Sequence, residues 1–183
     1  MDVGRAAIGR TLVLFTSHAS LQTTRLGIRE TLDKYGIQLL AQGIDGSPSN
    51  LVDDFMRYPE SVLLGTAALW EGVDIPGGVL KALVIARLPF RVPTEPVFAA
   101  RSELFQDPFN EYALPQSILR FRQGFGRLIR GEQDRGIVVI LDQRIVSRPY
   151  GSVFLDSIPE CNVVTGYIRD IPEVSKRWLS RKA

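Results

Sequence analysis

Cysteine and histidine are almost missing from this sequence, with Cys161 and His18 the single representatives of their kinds. One cysteine excludes a disulfide within the chain and points to the cytoplasm as its compartment. It also excludes a cluster with four cysteine ligands, so an iron–sulphur cluster does not belong to this chain. One histidine beside one cysteine leaves no zinc site of the usual kind, and no metal ligand set is expected. No apolar run approaches the roughly 20 residues that span a bilayer, so no membrane partner is expected. From Met1 to Gly9 there is no basic region followed by an apolar stretch, hence no secretory signal. An excess of one charge is lacking too. Lys and Arg number 22 against 20 Asp and Glu, a formal net charge of +2. A polyanionic partner would have to be met by locally placed charge.

What is present is an ordinary globular composition, 45% hydrophobic and 23% charged over 183 residues. That length suffices for one α/β domain with its own core. Apolar β-rich runs alternate with helical patterns, which predicts a mainly parallel central sheet with helices on both faces. Strands are expected near Thr11–Thr16, Gln38–Ala41, Val62–Thr66, Lys81–Ala86 and Gly136–Asp142, with a sixth over Asn162–Ile168. Runs such as Ile137-Val138-Val139-Ile140-Leu141 are continuously apolar, as in strands covered on both faces. Helices are expected from Ser17 to Gly36, from Ser49 or Asn50 to before Pro59, after Pro96, from about Pro115 to Gly131, and after Pro172. No repeat, low-complexity tract or long linker divides the chain, so residues 1–183 are read as a single domain.

Three segments carry chemistry. Gln123 to Arg130 reads Gln-Gly-Phe-Gly-Arg-Leu-Ile-Arg. At about 100° per residue, Ile118, Phe121, Phe125, Leu128 and Ile129 share a buried stripe. Arg120, Gln123, Arg127 and Arg130 then occupy the opposite sector. This is either a solvated basic face or an anion site, because arginine's planar fork grips phosphate and stabilises a phosphoryl transition state. Gly124 and Gly126 each cost about 1 kcal/mol against alanine in a helix, which suggests that another backbone or a ligand comes close. Gly124-x-Gly126 is not a dinucleotide fingerprint, since Ile129 stands where its third glycine belongs.

The second segment, Gly65 to Gly77, follows a buried strand directly, where open α/β sheets bind ligands. Thr66 offers a hydroxyl and an N–H to a phosphate oxygen. Trp70 fits either an aromatic platform or the core. Glu71 and Asp74 are acceptors for a ribose or an arginine, or plain loop residues. In the third segment, Phe15-Thr16-Ser17-His18, Ser17 is the expected N-cap of the next helix, whose first N–H groups would suit a phosphate.

Together these segments resemble the motifs of superfamily-two helicases, specifically the DinG/XPD branch. Leu12-Val13-Leu14-Phe15-Thr16-Ser17 resembles motif IV, Thr66 to Gly77 with Trp70-Glu71-Gly72-Val73-Asp74 resembles motif V, and Gln123 to Arg130 resembles motif VI. Leu88-Pro89-Phe90, Leu114-Pro115-Gln116, Asp134-Arg135-Gly136, Asp142 and Arg144 also match the branch. The similarity covers about residues 10 to 170. It implies a three-layer, RecA-like second motor domain of an ATP-dependent DNA helicase acting in DNA repair or replication. Arg127 and Arg130 would reach the ATP γ-phosphate across a cleft, with Arg130 the arginine finger and Gln123 positioning the γ-phosphate or attacking water. Asp74 would lie near the nucleotide or couple it to the DNA site, with Glu71 and Gly126 on the nucleotide side. Ser17 and Thr66 would touch the backbone of single-stranded DNA, and Trp70 would lie near its path.

The departures are as informative. No Gly-x-x-x-x-Gly-Lys-Ser/Thr run and no Asp-Glu-x-His run occur in the chain, so the phosphate cradle, the Mg²⁺ carboxylate and the general base are missing. ATP and Mg²⁺ are therefore expected to be held mainly by an N-terminal RecA-like domain of the same protein, and this chain alone is expected to be inactive. A non-catalytic nucleic-acid or protein-binding module that keeps the helicase fold is the alternative.

Overall fold

The computed structural model describes residues 9–71, 75–76, 78–131 and 134–180. Among these, five strands form one sheet: β1 (Thr11–Leu14), β2 (Gln38–Ala41), β3 (Ser61–Gly65), β4 (Ala82–Ile85) and β5 (Ile137–Ile140). Their order is β2-β3-β1-β4-β5 and every pairing is parallel. All five strands expected from the continuous apolar runs are present. β3 and β4 are buried along their whole length, which is why no alternation shows in their sequence.

The helices are α1 (His18–Asp33), α2 (Pro48–Arg57), α3 (Ala67–Glu71), α4 (Pro96–Ser102), α5 (Leu114–Phe125), α6 (Arg144–Ser147), α7 (Gly151–Asp156) and α8 (Ile171–Leu179). A π-helical turn, Phe109–Ala113, leads into α5. Parallel crossovers are right-handed, so the direction of each step along the sheet selects a face. The step from β1 out to β2 places α1 on one face. The steps back through β3, β4 and β5 place α2, α3 and α5 on the other. The core divides accordingly. Leu12 and Leu14 pack with Leu51, Phe55, Trp70, Phe121 and Phe154 on one side, whereas Ala41, Val62 and Leu64 pack with Leu21 and Leu32 on the other. α8 shares the α1 face, resting on Val84 and Val139 through Ile171 and Leu179. The Trp178 indole donates to the Gly136 carbonyl at 3.0 Å and anchors this helix at the start of β5.

Helix ends follow local chemistry. The Ser17 side chain accepts the Ser20 N–H at 3.3 Å and starts α1. Gly36, at φ +67°, closes it in a left-handed conformation that glycine adopts without penalty. Ser47 caps α2 in the same way as Ser17 caps α1, with Pro48 in the first turn.

Two expectations are corrected. α5 stops at Phe125 instead of reaching Gly131. Beyond it the bonds tighten to three-residue steps, Arg127 N–H to the Gly124 carbonyl and Leu128 N–H to the Phe125 carbonyl. Leu128 is buried at 2% exposure, as the helical stripe also required, so the early end of the helix changes the placement of the arginines and not that of this leucine. The sixth strand, Asn162–Ile168, does not form. Residues 159–167 carry no ladder and 161–167 are exposed, so their β-branched residues have no edge to satisfy them. No helix among the described residues is long and apolar enough to cross a membrane.

Candidate functional site

The carboxyl ends of all the strands lie along one edge of a parallel sheet, and the three segments singled out from the sequence meet there. Trp70 is where they join. Its indole N–H donates to the Phe15 carbonyl just past β1 at 3.1 Å, and its own carbonyl accepts from the Arg127 guanidinium at 3.2 Å. Its ring lies on Gly124 of α5: a Cβ on that glycine would come within 2.7 Å and 2.9 Å of two ring carbons. The glycine cost in this helix is thus explained by a side chain, not by a ligand. Trp70 is 3% exposed. It is core, so of the two readings of this ring the aromatic platform is corrected. A ring buried on both faces cannot stack on a base.

The arginines no longer share a helical face. Gln123 stands exposed on α5. Arg127 lies in the turn after it, half-buried, and Arg130 lies exposed in the following coil. The helical wheel fails for both arginines because the helix that would carry them ends at Phe125. What replaces it is a carboxylate. Asp134 Oδ2 accepts the Arg130 N–H at 2.8 Å and the Gly131 N–H at 2.9 Å, folding the backbone around Arg130. These two bonds hold the Asp134 carboxyl below its ordinary pKa. Gly126 ends α5 in right-handed geometry; a Cβ there would sit 3.3 Å from the Arg122 carbonyl oxygen. Glu71 closes α3, and its side chain lies outside the described residues, as does Asp74.

Ser17 and Thr66 come to the same edge. The Ser17 hydroxyl is exposed and donates to the Ser20 hydroxyl at 3.0 Å while it caps α1. Thr66 is 4% exposed. Its N–H donates to Gln42 Oε1 at 2.8 Å, and its hydroxyl lies 3.2 Å from His18 Nε2. The two groups that the sequence offered to a phosphate are thus already engaged by Gln42 and His18. Neither partner was legible beforehand, since Gln42 lies 24 residues away in sequence.

At the other end of the edge Asp142 joins β5 to the turn after β4. It accepts the Leu88 N–H at 2.9 Å, and both its oxygens receive the Arg144 guanidinium, which lies 5.2 Å over the Phe90 ring. Burial raises the Asp142 pKa, but the Arg144 guanidinium, with the Leu88 and Arg144 N–H groups, outweighs it and brings the value down to about 2. This pair is a clasp between strand ends. Among the described residues, no three His, Cys, Asp or Glu side chains group as a metal site would need.

Comparison with known proteins agrees with this arrangement. The family model described as "Helicase C-terminal domain" matches residues 2–161. The chain is 46% identical over 157 residues to the "3'-5' exonuclease DinG" of Bacillus subtilis, covering 83% of this chain and 17% of that protein. It is 41% identical over 163 residues to the "ATP-dependent DNA helicase YoaA" of Haemophilus influenzae, covering 87% and 25%. A solved structure named "XPD_Helicase" superposes with a TM-score of 0.60 at 24% identity, over 80% of this chain and 27% of that one, and shares its RecA-like fold. The chain spans about a quarter or less of the length of these relatives. With a family model matching most of its length, and with its strand-end segments matching the DinG/XPD pattern, the chain belongs to the helicase C-terminal domain family, in the DinG/XPD branch.

Proposed function

We propose that this chain is the second RecA-like motor domain of an ATP-dependent DNA helicase, working with a first domain that holds the phosphate cradle and Mg²⁺. The observation that carries the reading is the convergence on Trp70 of the segment after β1, α3 and the α5 turn. One buried side chain thereby links the strand end of Ser17 to the turn of Arg127. The relatives named as ATP-dependent DNA helicases support the same assignment.

In this reading the first domain binds ATP, and closure brings this edge over it. Arg130 acts as the arginine finger on the γ-phosphate, Arg127 assists it, and Gln123 positions the γ-phosphate or the attacking water. Asp74, Glu71 and Gly126 lie on the nucleotide side. The exposed Ser17 grips the backbone of single-stranded DNA, which is the sequence-independent part of nucleic-acid recognition, and Thr66, whose N–H and hydroxyl are engaged by Gln42 and His18, supports that edge from beneath instead of touching the strand itself. Trp70 positions these groups from within the core. Mg²⁺, bound by the first domain, supplies charge neutralisation of the phosphates. The protein is cytoplasmic, and this chain alone does not turn over ATP.

The test is ATP hydrolysis and strand separation by the full-length protein, with and without single-stranded DNA. Hydrolysis that DNA accelerates, together with unwinding, is expected. DNA binding with neither activity would replace the motor by a binding module.

A further inference from the structure

Thr66 is held at both its N–H and its hydroxyl. Gln42, which holds its N–H, has little freedom of its own. The Gln42 N–H donates to the Leu64 carbonyl at 3.0 Å, and Gln42 is 8% exposed. The turn behind it is pinned by Asp45, which accepts the Ala41 N–H at 2.9 Å and the Arg25 guanidinium at 2.9 Å. A rigid amide oxygen thus fixes the backbone of Thr66 from the neighbouring strand.

Thr66 in turn begins α3. Its carbonyl accepts the Leu69 N–H at 2.9 Å and the Trp70 N–H at 3.3 Å. The carbonyl of Trp70 then holds Arg127 at 3.2 Å. Gln42, Thr66, Trp70 and Arg127 are therefore joined by consecutive hydrogen bonds through a single helical turn. Displacement of Thr66 moves the carbonyl on which the arginine rests. His18 engages the hydroxyl of the same threonine from an exposed position.

We propose that Gln42 is a positioning residue: by fixing Thr66 it links occupation of the nucleic-acid edge to the placement of Arg127. The inference rests on the motor-domain reading above. It adds a residue from the end of β2 that lies in none of the three segments singled out from the sequence.

The experiment measures single-stranded-DNA-stimulated ATP hydrolysis by the full-length protein, separating the maximal rate from the half-saturating DNA concentration. Gln42→Met keeps the side chain's length and removes the acceptor, leaving the buried Thr66 N–H without a partner. The half-saturating DNA concentration should rise about tenfold. A merely structural lesion would lower the maximal rate with the folded fraction and leave that concentration where it was. On an Arg127→Ala background, Gln42→Met should change the half-saturating DNA concentration by less than about twofold, because two members of one chain do not add. His18→Ala, at an exposed position, should shift the half-saturating concentration about threefold in the same direction. If melting curves show that Gln42→Met does not fold, Gln42→Asn, whose shorter amide falls short of the Thr66 N–H, decides the matter by the same reading. An unchanged half-saturating concentration in the folded variants overturns the role of Gln42. Absence of DNA stimulation in the unaltered protein removes the motor reading and this proposal together.

Discussion

At the β2–β3–β1 side of the sheet Thr66 is held by an amide and an imidazole, Gln42 and His18, with the Asp45–Arg25 pair behind them, whereas at the β4–β5 side the strand ends are tied directly by an ion pair, Asp142 and Arg144. The two sides do the same mechanical job with different chemistry. A carboxylate that takes a guanidinium on both oxygens and a backbone N–H besides is a strong clasp, and its arginine is committed to it. Amide and imidazole bonds are individually weaker and exchange more readily for bonds to a ligand. The ion pair therefore serves stability, while the amide fixes a backbone that leads on to the arginine turn. Trp70 and that turn lie with the Thr66 side, joined to it through Phe15 and Thr66.

The sharpest way to break this contrast is to remove the clasp. Asp142→Ala leaves the Leu88 N–H and Arg144 without their acceptor. Asp142 is buried but Arg144 is partly exposed, so the loss comes mainly from the unsatisfied Leu88 N–H and is about 2 kcal/mol. Chemical denaturation should show that loss, while DNA stimulation per folded molecule persists. A variant of unchanged stability would erase the distinction. Next comes Gly124→Ala, whose methyl would press into the Trp70 ring. Overpacking of this kind costs about 2 kcal/mol, and because the ring carries the Phe15 contact the variant should also lose DNA response. A shift in melting temperature without that loss would separate Trp70 from the site.

Acid offers a third test. The Asp142 pKa in the folded chain is about 2, against an ordinary 3.8. A depressed carboxyl stabilises the fold above its unfolded pKa and loses that contribution as pH falls from about 4 through about 2. The difference corresponds to roughly 2 kcal/mol. Denaturation midpoints should fall across this window in the unaltered protein, and less so in Asp142→Ala. Equal acid sensitivity in both would mean that the stabilising carboxylates lie elsewhere.

The strands were legible because parallel strands covered on both faces need apolar residues at every position, as in Ile137-Val138-Val139-Ile140. Ser17 was legible because a cap is a local matter. The end of α5 was not. A helical wheel assumes that the helix continues, and nothing in Gly-Arg-Leu-Ile states where it stops. Asn162–Ile168 has strand composition, but a strand also needs a partner, and pairing is not encoded locally. Trp70 shows the limit for sites. Aromatic rings serve core and platform alike, and only the distance to Gly124 decides between them. Gln42 was invisible for the plainest reason: its importance lies in a bond to a residue on another strand.

Turnover set against nucleotide affinity, in the full-length protein carrying Arg130→Ala, tests the central claim most directly. If Arg130 completes a nucleotide site held mainly by another domain, hydrolysis should fall about a thousandfold while ATP affinity changes only a few-fold. Hydrolysis at the unaltered rate, or a loss explained by affinity alone, would contradict it.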